Sequence, residues 1–186
     1  MVVEGKTTPF DLRLPAPVIV QVRLALGLVP TTAWMVSANV DTDPESLIGG
    51  SIRELEAAES GLHRFELPRD LLADIQARAC FPGWEITLEQ NRIQPLDAPI
   101  DVLFDEKGGS VSGRLNAPSS PGEAITLTWS KGATRRIRCT TYASEHGEFR
   151  FPFAPAGECT LQRRGSSAAT RSVDVTAGGE VHVDDL

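Results

Sequence analysis

The chain of 186 residues is long enough for one ordinary domain or two small ones of about 90 residues each. Its 41% of hydrophobic and 23% of charged residues exclude general disorder. The formal charge is −7, and residues 1–100 carry 14 acidic and 8 basic side chains. Sequence-independent nucleic-acid binding depends on basic patches, so this class of function is excluded for the chain as a whole.

Alternation of apolar and polar side chains with a period of two predicts an all-β protein. Segments rich in Gly, Pro and Asp between the alternating runs predict turns. In chain order, the predicted strands are Val18–Leu26, Trp34–Val40, Arg64–Leu67, Asp74–Cys80, Glu85–Glu89, Pro99–Phe104, Ser110–Leu115, Ala124–Trp129, Arg136–Ala143, Glu148–Phe153, Glu158–Arg163, Arg171–Val175 and Val181–Val183.

Two segments conflict with an all-β interpretation. SIRELEAAES, at Ser51–Ser60, contains a Ser-x-x-Glu capping box followed by good helix formers. RDLLADIQARA, at Arg69–Ala79, has apolar residues four positions apart, which is a helical spacing. We expect a turn or two of helix at most in either place, because strand pairing often overrides such local preferences.

No segment of the sequence predicts a membrane span. The most apolar stretch, VIVQVRLALGLV at Val18–Val29, is too short to cross ~30 Å of hydrocarbon and contains Gln21 and Arg23. The first residues, MVVEGKTTPF, lack the basic start and apolar run of a signal peptide. A cytoplasmic protein and a piece of a longer exported protein, extracellular or periplasmic, both fit this observation.

An internal repeat divides the chain. The segment GEFRFPFAPAGECTLQRRG at Gly147–Gly165 matches HRFELPRDLLADIQARACFPG at His63–Gly83 with an offset of about 84 positions, so that Phe149 corresponds to Phe65 and Cys159 to Ile75. A repeat of this length has the size of a small β-sandwich. We therefore predict two tandem Ig-like or prealbumin-like antiparallel β-sandwiches, at residues 1–104 and 105–186.

Residues 1–14 add a second element to the repeat. TTPFDLRL at Thr7–Leu14 is similar to IQPLDAPI at Ile93–Ile100, so residues 1–14 are interpreted as the exit strand of a preceding repeat. This favours a segment of a larger bacterial multi-repeat protein over the cytoplasmic alternative. A chance match of two short strands is the other interpretation.

The repeat also carries a family resemblance. GEFRFPFAPAGECTL resembles the Gly-x-Phe-x-Phe…Pro-x-Gly-x-Tyr-x-Leu signature of carboxypeptidase regulatory-like domains over roughly residues 108–186, although Cys159 stands where an aromatic is usual. The first half fits less well, with PRDLLAD in place of the Pro-x-Gly turn. The resemblance implies a prealbumin-like, transthyretin-type sandwich that seldom catalyses and serves as a spacer, a support or a carbohydrate-binding module. The matching residues are Gly147, Phe149, Phe151, Pro155, Gly157 and Leu161.

No motif predicts catalysis. His63, His146 and His182 lie outside any His-x-x-x-His or Gly-x-Ser-x-Gly setting and are interpreted as solvated turn residues. We therefore predict that the protein is not an enzyme. Its predicted role is that of a structural or protein-interaction module, with other domains of its parent protein or a separate protein as partner; the alternative is a carbohydrate-binding module.

One acidic loop is a candidate calcium site. The run DTDPE places Asp41, Asp43 and Glu45 at alternate positions after a strand, and Ca²⁺ prefers such oxygen ligands. Three ligands are fewer than the six to eight that Ca²⁺ takes, so a solvated acidic loop is the alternative. No other cofactor is predicted.

Aromatic and basic residues give the candidate ligand-binding positions. Trp84 follows a Pro-Gly turn and is the tryptophan most expected at the surface, whereas Trp34 and Trp129 alternate with apolar residues and are assigned to the core. Arg136 and Arg138 alternate with apolar residues and share the solvent face of one strand, which could bind an acidic partner. A merely solvated sheet face is the alternative.

The three cysteines leave the redox state open. If Cys139 and Cys159 lie two strands apart, their Cα atoms are separated by about 9.6 Å, which exceeds the ~7 Å limit for a disulfide. A sandwich brings them together if consecutive strands change sheet. The sequence does not choose between these arrangements.

Overall fold

The computed structural model describes residues 16–26, 34–40, 51–52, 56–57, 62–69, 72–94, 99–116, 122–164, 170–184 and 186. These residues form strands and turns without a helix, so none of them belongs to a helix that could cross a membrane. The strands are β1 Val18–Leu24, β2 Trp34–Val40, β3 Ser51–Ile52, β4 Glu56–Ala57, β5 Leu62–Leu67, β6 Ala73–Phe81, β7 Trp84–Ile93, β8 Ile100–Phe104, β9 Gly108–Arg114, β10 Ala124–Lys131, β11 Arg135–Tyr142, β12 Glu148–Pro155, β13 Gly157–Arg163, β14 Thr170–Val175 and β15 Glu180–Val183.

The strands form three sheets. A four-stranded sheet has the order β4-β5-β1-β8, a three-stranded sheet has the order β12-β9-β15, and an eight-stranded sheet has the order β14-β13-β10-β11-β7-β6-β2-β3. Every predicted strand is present, with ends that differ by a few residues at most. The all-β class is therefore confirmed, and β3 and β4 are additional short strands.

Strand pairing repeats in the two halves of the chain. Strand β1 pairs antiparallel with β5 and parallel with β8, and β9 pairs in the same way with β12 and β15. In the eight-stranded sheet, β6 lies between β2 and β7 just as β13 lies between β10 and β14. Each half thus contributes a smaller sheet and four neighbouring strands of the large sheet.

The predicted boundary at residue 104 does not interrupt the large sheet. Strand β7 of the first half pairs antiparallel with β11 of the second half, from Gln90 opposite Arg135 to Trp84 opposite Thr141. Buried residues of both halves also belong to one hydrophobic cluster. The division into 1–104 and 105–186 stays a prediction, and the structure shows that strands of the two halves pair over seven positions.

Buried side chains alternate with more exposed ones along most strands and build the core. In β12, Phe149, Phe151 and Phe153 are all buried, and the rings of the first two meet edge to face with centroids 6.0 Å apart. Gly157 has a φ of +107°, a backbone conformation that favours glycine and lets the chain turn at this corner. The motif that carries the family resemblance therefore specifies a core and a turn.

The strand predicted at Asp74–Cys80 is found despite the helical spacing of the apolar residues there. Strand β6 covers Ala73–Phe81, and Ala73, Ile75, Ala77 and Ala79 are fully buried on one face of it. Pairing with β2 and β7 on both sides satisfies its backbone, so non-local contacts override the local preference. Of Ser51–Ser60, the described residues belong to β3 and β4, and the others lie outside the described residues.

The cysteines are free thiols. Strand β12 does change sheet, but β10 lies between β11 and β13, so Cys139 and Cys159 sit on strands that are two positions apart. Both side chains are buried, whereas Cys80 is exposed. The arrangement without a disulfide is the one found.

Candidate functional site

Arg136 and Arg138 lie near the middle of the solvent face of the eight-stranded sheet, which we call the outer face. Both are exposed, and the side chains that alternate with them, Ile137 and Cys139, are fully buried. Arg138 stands opposite Thr87 of β7 and Thr128 of β10. The predicted sharing of one face by the two arginines is found.

Hydroxyl groups surround these arginines. The row through Arg138 continues from Thr128 to Thr160 of β13 and Ser172 of β14. Arg136 stands opposite Glu89, yet within the described part of the chain neither guanidinium comes within ion-pair distance of a carboxylate. The outer face is therefore broad and polar, with two exposed arginines that form no ion pair among the described residues. Its Ser and Thr residues include Ser37, Thr87, Thr126, Thr128, Ser130, Thr140, Thr160, Thr170 and Ser172.

Trp84 is not part of the outer face. It shares the inward-facing side of β7 with the buried Ile86 and Leu88, and its half-buried ring stacks on Phe81 with centroids 4.7 Å apart. The structure therefore places the predicted ligand-binding tryptophan and the two arginines on opposite faces of one sheet. A role for Trp84 in binding stays a prediction.

The other two tryptophans pack as expected for core residues. Trp34 is buried. Trp129 is half-buried against the core, and its Nε1 donates a hydrogen bond to the carbonyl oxygen of Ala156 at 3.1 Å. The indole thereby fixes the corner that contains Gly157.

The predicted calcium loop lies outside the described residues. Asp41, Asp43 and Glu45 fall within residues 41–50, and the calcium site stays a prediction. Among the residues that the structure does describe, no group of three or more His, Cys, Asp and Glu side chains could hold a metal ion.

A groove on the three-stranded sheet was missed by the sequence analysis. On the outward side of this sheet, Ser112 Oγ lies 3.1 Å from His182 Nδ1, and His182 Nε2 lies 3.0 Å from Asp184 Oδ1. Arg150 stands opposite Ser112 on β12. The open groove has a volume of about 740 Å³ and is lined by Ser112, Gly113, Arg114, Thr141, Tyr142, Ala143, Ser144, Glu148, Phe149, Arg150, His182 and Asp184.

The Ser112–His182–Asp184 row has the composition of a hydrolytic triad but lacks its setting. The side chains of His182 and Asp184 are 62% and 78% exposed, so water screens their interaction. Strand β9 pairs with a neighbour on each side, so the backbone amides around Ser112 are used in the sheet and cannot form an oxyanion hole. The row can bind a polar ligand, but this geometry does not activate a nucleophile.

No family model matches the chain. No curated protein matches it significantly. Its fold is similar to the structure of a streptococcal ancillary pilin, with a TM-score of 0.29 and 9% identity over 92% of this chain and 63% of that chain. It is also similar to the Bacillus anthracis TIE protein, with a TM-score of 0.31 and 8% identity over 91% of this chain and 33% of that chain. The chain thus spans less than two thirds of either protein, and the carboxypeptidase regulatory-like family is not confirmed.

Arg135 holds the junction between the two halves. Its guanidinium donates a hydrogen bond to the carbonyl oxygen of Leu103, forms an ion pair with Glu106 at 2.7 Å, and lies over the ring of Phe104 at 4.6 Å. The exposed fractions of the Arg135 and Glu106 side chains are 18% and 11%. A single side chain of the second half therefore contacts three consecutive parts of the connecting segment.

Proposed function

We propose that this chain is a non-catalytic structural module whose two halves are held in a fixed relation, so that it spaces or presents other parts of a larger bacterial repeat protein outside the cytoplasm. The observation that carries the proposal is the uninterrupted eight-stranded sheet across the junction. A protein that only tethered two independent domains would have no need of a continuous sheet.

Two sets of contacts support rigidity at the junction. The β7–β11 ladder is supplemented by a hydrogen bond from the Asn91 amide to the Thr134 carbonyl oxygen at 2.7 Å. Arg135 of the second half also donates a hydrogen bond to the carbonyl oxygen of Leu103 and lies over the ring of Phe104, and its largely buried ion pair with Glu106 holds the guanidinium in that place. Both contacts resist rotation of one half against the other.

The test measures distances between two spin labels placed on opposite halves of the outer face. Met35 and Thr160 lie in one row across the sheet, five strand spacings or about 24 Å apart. Met35→Cys and Thr160→Cys are combined with Cys80→Ser, because Cys80 is the exposed thiol. Double electron–electron resonance should give one narrow distance distribution near that spacing.

Arg135→Ala provides the comparison, and Arg136→Ala, its exposed neighbour, is the matched control. We expect a broader distribution in Arg135→Ala and an unchanged one in Arg136→Ala. A broad distribution in the unaltered junction would refute the rigid-spacer proposal.

Carbohydrate binding is a second candidate, favoured by the groove on the three-stranded sheet. Tyr142 is 48% exposed there beside charged and hydroxyl side chains, a combination that suits stacking on a sugar ring with hydrogen bonds around it. A thermal-shift screen with sugars should then raise the Tm, and Tyr142→Ala should abolish the rise. If no sugar raises the Tm, carbohydrate binding is refuted and the structural role is the one proposed function that stands.

A further inference from the structure

The large sheet has two ends with strands paired on one side only. Within the described ranges, β14 pairs with β13 alone and β3 pairs with β2 alone. Such edges expose backbone donors and acceptors that can pair with another strand. The internal repeat shows which strand of the other half each of these two edge strands corresponds to.

Strand β3 occupies the position in the first half that β11 occupies in the second. In the first half, Ile75 stands opposite Ala38, which stands opposite Ile52. In the second half, Cys159 stands opposite Trp129, which stands opposite Ile137. Because Ile75 and Cys159 are equivalent in the repeat, Ile52 is equivalent to Ile137.

The sequence supports this equivalence. Ile52 is followed by Arg53, just as Ile137 is followed by Arg138. The edge strand β3 of the first half therefore corresponds to β11, the strand of the second half that forms the junction.

Strand β14 is correspondingly equivalent to β7. Ile75 stands opposite Gln90 of β7, and Cys159 stands opposite Val173 of β14. The junction inside the chain joins β7 to β11. The edge strands β14 and β3 therefore correspond to β7 and β11, which already pair with each other once in this molecule.

We infer that copies of this chain associate end to end, with β14 of one copy pairing antiparallel with β3 of the next. The β7–β11 register transfers directly: Arg136 stands opposite Glu89 and Ile137 opposite Leu88, so Ser51 should stand opposite Ser172 and Ile52 opposite Arg171. Because the contact joins two different surfaces, each added copy leaves one edge of each kind available, so association continues beyond a dimer into chains or rings of copies.

Charge disfavours the pairing of two β14 edges. Glu158 and Asp174 stand opposite each other at the β14 edge, and among the described residues neither has an ion pair. Two copies of β14 that paired with each other would bring four carboxylates to one interface, which disfavours this alternative to the β14–β3 contact.

The contact is weaker than the internal junction. Strand β3 has two residues, whereas the β7–β11 ladder extends over seven pairs and is reinforced by Arg135. Association should therefore depend strongly on concentration. The inference rests on the structural role proposed above. A chain that proves rigid but stays monomeric would disprove the association and leave the structural role intact.

The first test traps the contact with a disulfide. Ser51→Cys and Ser172→Cys are introduced together into Cys80→Ser, and the chain is oxidised at high concentration. We expect a ladder of disulfide-linked multimers, at least about tenfold more abundant than in the matched control Ser51→Cys with Ser130→Cys, whose second site lies on the interior strand β10. Equal ladders in the two variants would overturn the inference.

Two further measurements keep the inference falsifiable. The Ser172→Cys variant alone should stay largely monomeric after oxidation. A strong dimer band would show that two β14 edges pair with each other instead. Sedimentation of the unaltered chain from roughly 10 μM to 1 mM should show an average mass that rises continuously past that of a dimer. A constant monomer mass, or a plateau at two copies, contradicts end-to-end association.

Discussion

At the scale of single residues, the cysteines show what burial does to a reactive group. Loss of hydration raises the pKa of the Cys139 thiol, with a smaller effect from Cys159, and raises the pKa of Cys159 to about 12, with Asp174 adding to it. A raised pKa means that the thiolate, the reactive form, stays rare at pH 8. Cys80 is exposed.

We predict that one thiol per chain reacts with a disulfide reagent at pH 8 in the native state, and all three react in denaturant. Ultraviolet absorbance of the released thiolate counts them. Cys80→Ser should leave no fast-reacting thiol. A second fast thiol in the native chain would show that the β10–β11–β13 region opens readily.

Single residues also show the limits of sequence analysis. Gly157, Phe149 and Phe151 could be recognised in the sequence as parts of one signature, because turn chemistry and alternation are local. The Ser112–His182 contact joins residues 70 positions apart, and nothing in the spacing of either signals it. Only the parallel pairing of β15 with β9, which places His182 opposite Ser112, brings them together.

At the scale of elements, β9 depends on small residues. A Cβ atom at Gly113 would collide with the carbonyl oxygen of Val183 and with the ring of Phe149 at 2.6 Å. The glycine therefore lets the central strand of the three-stranded sheet lie close beneath a core aromatic ring and beside β15.

We predict that Gly113→Ala lowers the free energy of unfolding by about 2 kcal/mol, since overpacking forces ring and strand apart. Ser112→Ala, on the outward side of the same strand, is the control and should change stability by less than about 0.5 kcal/mol. Urea unfolding followed by tryptophan fluorescence measures both. Equal effects of the two substitutions would disprove the collision.

Strand positions could be predicted, but their order could not. The period-two pattern located β2 at its observed bounds, and the other predicted strands within a few residues. The pairing of β7 with β11 joins residues that lie some 45 positions or more apart, from Gln90 and Arg135 outward, and depends on which edges remain free after each half has folded. The sequence of either strand alone does not show which partner strand it takes.

At the scale of the whole molecule, the continuous sheet and the shared hydrophobic cluster couple the two halves. If one half unfolds, the other loses the β7–β11 ladder and exposes the apolar surface beneath it. This cost makes a half-folded state unfavourable, in contrast to two domains on a flexible linker.

We predict one calorimetric unfolding transition, whose van't Hoff enthalpy equals its calorimetric enthalpy. Leu67→Ala in β5 and Leu161→Ala in β13 remove fully buried side chains from the first and second halves, at a cost of about 2–5 kcal/mol each. Either substitution should lower the Tm of the same single transition, because the halves unfold together. If Leu67→Ala instead splits the trace and leaves a component at the original Tm, the second half folds independently, and the β7–β11 ladder contributes little to stability.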